Sequence, residues 1–390
     1  MKRSVLLLCL SACLLLSGCA GNPVFGDDSR EIDQLELVET VGFDAAGALT
    51  TVTASTAASG EPVLLKNTAE TVSRAVREMQ NYTDKQYIFY GHTAHVLIGE
   101  EAARQSLTRY LDYLERDSEM RLDTRLYIVQ GGTAEDAITA VSDENETVGD
   151  LLASLDRDVE LLSESYVFDC REVAQQLAKR NCALVAAIML EKSENLLSSE
   201  DGMTLQSSGY AVIRDGRLLD FLDTELARGV NLLIGRTGSD VIEAPDGTGN
   251  VFAARLTESS AEYIPQFEDG RMTGLHIELL LHCNLDELRA PLDIFDGAVV
   301  QTLEESISAA ALGRVQAVLE RMRELDCDFC DLQTHVRQSA PLRTDRMREA
   351  WESVFSGLKC EVTVKTILER TYDVGLSPLG GWETGYAENG

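Results

Sequence analysis

The chain is short of positive charge: 34 lysines and arginines stand against 65 aspartates and glutamates, a formal net charge of −31 over 390 residues. That deficit excludes nucleic acid as a partner. It also excludes adhesion to anionic lipid through the protein surface, because both would repel so acidic a chain. Long apolar runs are scarce as well. The stretch from Val5 to Leu16 is too short to span a bilayer, and no longer run follows it. Proline is sparse, with 7 copies, while 44 % of the residues are apolar, so the composition is that of a folded protein. Cysteine is thinly spread. Cys9 and Cys13 lie in the opening apolar stretch, and beyond Cys19 only Cys170, Cys182, Cys283, Cys327, Cys330 and Cys360 remain. That density excludes a small disulfide-stapled scaffold, and the sequence alone assigns no pairs.

Catalytic motifs are missing too. There is no GxGxxG, no GxSxG and no HExxH. Gly131-Gly132-Thr133 precedes a helical pattern, where phosphate could bind, but lacks the lysine of a P-loop and reads as a strand-to-helix turn. His92 and His95 lie near Glu100 and Glu101, yet in a strand positions three apart face opposite sides, so the imidazoles diverge. Cys327-Asp328-Phe329-Cys330 has the spacing of a redox or zinc half-site. No second ligand pair accompanies it, and Asp326, Asp328 and Asp331 would raise rather than lower a thiol pKa, so these cysteines read as structural or incidental. No catalytic, cofactor-binding or metal-binding residue is assigned, and the sequence supports no enzyme.

What is present begins at the N-terminus. Lys2 and Arg3 precede the apolar stretch, and Leu16-Ser17-Gly18-Cys19 closes it. This reads as a secretory signal ending in a bacterial lipobox, which would remove residues 1–18 and place a diacylglyceryl group on the Cys19 sulfur, rather than as an ordinary secretory signal that happens to end near a cysteine. Two acyl chains hold a domain at a membrane where one would bind reversibly. Residues 19–29 are small, polar and turn-rich, as a tether should be.

Two units follow, an N-terminal one over 30–197 and a C-terminal one over 205–375, with a subdivision near 265 left open. Leu37–Asp44 and Leu49–Ala54 flank a turn and predict a hairpin. Helices are expected over Thr68–Asn81, with Val72, Ala75, Val76 and Met79 on one face, and over Gly99–Glu115, with Ala102, Ala103, Leu107, Tyr110 and Leu114 inward. Strands are expected over Tyr87–Ile98 and Leu122–Gln130. Thr133 and Asp136 suggest a helix cap. This alternation indicates a mixed α/β sheet. After the polar stretch Leu196–Gly209, the odd positions from Leu275 to Leu285 are apolar, the mark of a strand with one buried face. From Val300 to Leu325 apolar residues recur at spacings of three and four, giving one long amphipathic helix. A short helix with Met347, Trp351 and Phe355 on one face and a strand over Cys360–Thr371 complete an α+β unit, a sheet covered by the long helix.

Several segments, in order, resemble the Ger(x)C family, the lipoprotein C subunits of spore germinant receptors. Arg30-Glu31-Ile32-Asp33-Gln34-Leu35 with Val41-Gly42-Phe43-Asp44 looks like its opening, and Tyr90-Gly91-His92 through Val96 to Arg104 like its "VIIGEELAR" segment. Arg116-Asp117-Ser118-Glu119-Met120-Arg121 is similar to its "RD-E-R" element, expected to be an internal salt-bridged turn. Gly209 to Leu218 resembles "GYAVFKDDKLVG", and Ala227-Arg228-Gly229-Val230-Asn231-Leu232-Leu233 resembles "ARGLNWL". Phe43, where an aliphatic is usual, and the Cys327/Cys330 region depart from the pattern. The resemblance implies a multi-domain mixed fold on the outer face of the spore's inner membrane, in a family where no catalytic role is established for this subunit and its part in germinant binding is open. It also implies assembly with integral-membrane A and B subunits. The rival class is a solute-binding lipoprotein of a transporter, which calls for two lobes around a cleft with aromatic or charged contacts; only 6 % of the residues are aromatic.

Overall fold

The computed structural model describes residues 34–56, 62–141, 147–192, 203–290, 292–344 and 351–369. The chain opens with the expected hairpin, β1 (Leu35–Ala46) and β2 (Leu49–Thr56), antiparallel and turned at Gly47, whose φ of 65° suits a residue without Cβ. β3 (Leu64–Ala69) and α1 (Val72–Glu78) follow, continued by a 3₁₀ turn over Met79–Tyr82. Thr68, expected to begin the helix, is therefore in a strand. The helix starts after Thr71, whose side chain caps it by accepting from the Arg74 N–H at 3.2 Å. The single strand expected over Tyr87–Ile98 is two, β4 (Tyr87–Phe89) and β5 (His95–Gly99), separated by a turn at Gly91-His92. Both run parallel to β1, on successive halves of it.

Then come α2 (Glu100–Arg116), β6 (Arg125–Gln130), α3 (Ala134–Val141), α4 (Val148–Leu162), α5 (Cys170–Arg180) and β7 (Cys182–Lys192). β8 (Met203–Arg214) pairs antiparallel with β7, and β9 (Arg217–Leu222) with β8. The resulting nine-stranded sheet has the order β3-β2-β1-β5-β6-β7-β8-β9, with β4 on β1, so β7 and β8 belong to one sheet. Its middle is parallel and buried on both faces, as near-continuous apolar strands require. In β5, Val96 and Ile98 enter the main core with Leu107 and Tyr110 of α2. Leu97 enters a second core with Ala134, Ile138 and Leu152 of α3 and α4. The period of two divides the layers.

The second sheet follows α6 (Thr224–Ile234) and has the order β10-β11-β12-β13: β10 (Asp240–Pro245), β11 (Val251–Glu268), β12 (Arg271–Glu287) and, last in the chain, β13 (Lys359–Glu369). β11 and β12 form a long hairpin closed by Asp269-Gly270, both at positive φ, the geometry that two-residue hairpin turns favour. Between β12 and β13 lie α7 (Gly297–Glu324), α8 (Leu332–Ser339), α9 (Pro341–Thr344) and α10 (Trp351–Phe355). α7 has 28 residues and is therefore about 42 Å long. Its buried stripe runs Leu303, Ile307, Ala311, Val315, Val318 and Met322. That stripe covers the inner face of the sheet, where Leu275, Ile277, Leu279, Leu281 and Cys283 of β12 are buried. Each such buried aliphatic contributes about 1.5–3 kcal/mol. Met347 lies outside the described residues, whereas Trp351 and Phe355 are buried as the spacing predicts.

Candidate functional site

Cys19, the residue expected to carry the lipid, lies outside the described residues, as do Arg30 to Asp33. Several of the remaining motif residues meet in two buried knots, and the Cys327/Cys330 region forms a third. In the first, both Asp44 carboxylate oxygens cap α3, accepting from the Ala134 N–H at 2.8 Å and the Glu135 N–H at 2.9 Å. Burial holds this carboxyl above its ordinary pKa against those two hydrogen bonds. Gly42 and Gly99 are needed beside it. A Cβ on Gly99 would strike the Asp44 carboxylate, and one on Gly42 would come within 2.8 Å of the Ala134 Cβ. Asp136 N–H donates to Thr133 Oγ1 at 2.9 Å, the expected cap. Phe43 is fully buried against Tyr110, with ring centroids 5.5 Å apart, so its larger side chain is absorbed by aromatic packing.

The second knot joins the two later motifs. Gly209 has φ of 89°, and a Cβ there would overlap the Leu222 carbonyl oxygen. Next to it, the buried Tyr210 hydroxyl accepts from the Tyr166 N–H at 2.6 Å and donates to Asn231 Oδ1 at 2.5 Å. Asn231 Nδ2 in turn donates to the Ser163 carbonyl at 2.7 Å. Earlier on the same helix, Arg228 reaches Asp240 at 3.5 Å and Glu225 at 2.9 Å, while Arg314 of α7 pairs with Asp240 at 2.8 Å. Burial raises the Asp240 pKa, opposed by the Arg314 and Arg228 guanidiniums. Gly229 lets α6 and α7 touch, since a Cβ would lie 2.8 Å from the Arg314 carbonyl oxygen.

The charges of the Arg116–Arg121 element do not bond to one another, contrary to the salt-bridged turn expected. Arg116 pairs back to Asp112 at 2.8 Å and Arg121 forward to Asp123 at 2.5 Å. Asp117 Oδ1 instead accepts from the Glu119 N–H at 2.9 Å, and Glu119 accepts from the Tyr87 hydroxyl. In a helix only residues three or four apart are neighbours, which favours Asp112 over the residues that follow the helix end.

The third knot is the one with a cavity. Cys327 is bridged to Cys182, 145 residues earlier, leaving Cys330 as a buried free thiol. The bridge joins the start of β7 to the corner between α7 and α8. Around it Arg180 of α5 reaches Asp331 at 2.6 Å and donates to the Cys182 carbonyl at 3.1 Å, and Arg214 of β8 donates to the Leu325 carbonyl at 2.9 Å. Asp328 starts α8, accepting from the Leu332 N–H at 2.8 Å and the Gln333 N–H at 3.0 Å, and it takes the Trp351 indole N–H at 3.0 Å. Burial pushes its carboxyl up to about 6, and raises the Cys330 thiol well above its ordinary range. A thiol so held is unreactive near neutrality. An open groove of about 1220 Å³ lies over this corner, lined among others by Leu177, Arg180, Arg214, Asp328, Trp351 and Phe355. The Cys182 partner carries no signal in the sequence. Nor does Asp328, because the N-cap position of α8 belongs to Asp331 and spacing does not announce a carboxylate that reaches the helix start from three residues earlier.

His95 is buried at the start of β5, and desolvation, with the nearby Arg125 charge, lowers its pKa to about 4. His92 lies in the preceding turn and not in the strand that the spacing predicts. Among the described residues no group of three or more His, Cys, Asp or Glu side chains could hold a metal ion.

Two protein-family models match this chain. The spore germination protein N-terminal domain covers residues 28–189, and the spore germination B3/GerAC-like C-terminal domain covers residues 208–372. The chain belongs to the Ger(x)C family of spore germination proteins. Two relatives from Bacillus subtilis (strain 168), spore germination protein KC and the putative spore germination protein YfkR, are each 20 % identical. Each match covers 95 % of this chain and 97 % of the relative. The crystal structure of the GerBC protein shares the fold, with a TM-score of 0.56 and 16 % identity over 84 % of this chain and 96 % of that one. The family is one of spore germination proteins and not a known enzyme family.

Proposed function

We propose that this chain is the lipid-anchored C subunit of a nutrient germinant receptor. In this reading it is not an enzyme, sits on the extracytoplasmic face of the spore's inner membrane and docks on integral-membrane A and B subunits. The observation that carries this is the match to both family domains, in order, in a chain whose leader ends in Leu16-Ser17-Gly18-Cys19. No helix among the described residues is long and apolar enough to cross a membrane. The chain would therefore act through membrane partners, and a lipid anchor would raise its effective concentration toward them. Asp44, Tyr210, Asn231 and Asp328 are engaged in helix caps and buried hydrogen bonds, which supports a structural rather than a catalytic use of them. A hinged two-lobed solute-binding lipoprotein fits less well, because the large sheet continues from β7 into β8.

Deleting the gene should abolish or strongly slow germination through one receptor while other routes persist. Tagged protein captured from spore inner membrane should bring the A and B subunits with it, and Cys19→Ala should remove the acyl mass and release the protein from the membrane. Normal nutrient responses in the deletion strain, with no membrane subunit recovered, would overturn the assignment.

A further inference from the structure

Among the described residues β13 is the outer strand of the second sheet and leaves it with an open edge. The strand is 11 residues long, contains no proline, and pairs with β12 without a register shift from Lys359 to Glu369. Natural sheets usually guard such an edge with proline, a bulge or a covering element. Here one guard is present: the Leu368 N–H donates to the Glu304 carboxylate of α7 at 2.9 Å. That bond also fixes the parity of the strand. The even-numbered residues turn their backbone groups outward, and the odd-numbered ones bond to β12. At Cys360, Val362 and Val364 the outward groups have no partner among the described residues, whereas Thr366 is buried against Ser308 of α7, its hydroxyl 2.8 Å from the Ser308 hydroxyl. On the α7 side of the same edge, Cys360, Val362, Val364 and Leu368 are only half-buried although they pack on the core.

We infer that this edge pairs antiparallel with the same edge of a second copy of the chain, about a two-fold axis at Thr363. The charge pattern selects the partner. Exposed Glu361 falls opposite Lys365 of the second copy, and Lys365 opposite its Glu361. Val362 falls opposite Val364, and Lys359 opposite Ile367, so no like charges oppose each other. In this register the even residues, whose groups point outward, form the hydrogen-bonded pairs, and Thr363 meets its own copy at a close non-hydrogen-bonded pair. The apolar row under α7 then continues beneath the second copy's row, and two four-stranded sheets become one of eight strands.

The test uses the full mature chain in detergent. Sedimentation should show a concentration-dependent dimer at protein concentrations on the order of 100 µM. Thr363→Cys in a Cys360→Ser background should form an intermolecular disulfide under mild oxidation, while Glu243→Cys on the opposite edge should not. Val364→Pro removes only an outward N–H and should give a monomer with unchanged circular dichroism. Lys365→Glu should weaken the dimer roughly tenfold, since two attractive cross-strand pairs become repulsive. Glu361→Lys combined with Lys365→Glu should restore it, which keeps the test valid if the proline variant misfolds. A chain that stays monomeric, a dimer indifferent to the charge reversal, or linkage of the Thr363→Cys variant to a different protein would each overturn the inference.

Discussion

The Tyr210 hydroxyl donates to Asn231 Oδ1 at 2.5 Å where both side chains are fully buried, tying β8 of the large sheet to α6, the helix that leads to the small one. The same hydroxyl accepts from the Tyr166 N–H, and Asn231 holds the Ser163 carbonyl, so one pair satisfies the turn after α4 as well.

Tyr210→Phe keeps the ring and removes that centre. It leaves the Tyr166 N–H and Asn231 Oδ1 buried without their partner, so the expected loss is about 3 kcal/mol in urea unfolding. With Asn231→Ala, a double-mutant cycle should give a coupling of at least about 1 kcal/mol. Additive losses would mean the two side chains act independently.

Gly229 and Gly313 are both helical, and the same substitution should have opposite signs. Gly313 has open space around it, so Gly313→Ala should stabilise the chain by up to about 1 kcal/mol through helix propensity. At Gly229 the new methyl would lie 2.8 Å from the Arg314 carbonyl oxygen and from Val318, both on α7. Parting α6 from α7 there also pulls Arg228 and Arg314 off their shared Asp240. A loss of about 1–3 kcal/mol is expected. Thermal melts of the two variants side by side decide it, and two shifts of equal sign would refute the close-approach argument.

Much of this architecture is legible in the residues, because period-two and period-3.6 patterns survive wherever one face is buried. The stripe of α7 and the inner face of β12 are read directly, as is the opening hairpin. Where the reading slips, local pattern competes with pairing. Thr68 and Ala69 look helical but complete β3 against β2, and the run Tyr87–Ile98 looks like one strand although the turn at Gly91 divides it along β1. At the candidate sites the motifs pick out Asp44, Tyr210, Arg228 and Asn231. That Tyr210 meets Asn231, or that Cys182 meets Cys327 rather than Cys330 meeting it, depends on long-range packing that spacing cannot encode.

The bridge itself gives a chemical prediction. Peptide mapping without reductant should recover Cys182 linked to Cys327, with Cys330 alkylated only after unfolding, because it is buried. A bridge that closes so long a loop should stabilise by about 2–4 kcal/mol, so Cys182→Ser and Cys327→Ser should each cost that much and the double variant no more than one of them. Recovery of a Cys327–Cys330 link would assign the pair to the CxxC spacing instead.

The last prediction concerns acid, and its sign follows from His95. Its folded pKa lies at about 4, below the ordinary 6.5, because burial and the Arg125 charge disfavour the imidazolium. Between those values the unfolded chain binds a proton that the folded chain refuses, so stability rises with pH there. The contribution is fully present above about 6.5 and is lost as pH falls through about 4, a change of about 3 kcal/mol. Asp328 has the opposite sign. Its folded pKa of about 6 exceeds the ordinary 3.8, so its contribution is present below about 3.8 and is lost as pH rises through about 6. The two offset each other over roughly pH 4–6, which should leave the wild-type profile flatter there than either group alone would make it. His95→Gln removes one side of the balance. The difference in unfolding free energy between wild type and this variant should shift by about 3 kcal/mol in favour of wild type as pH is raised from 4 to 7. A pH-independent difference would mean that His95 titrates alike in the folded and unfolded chains.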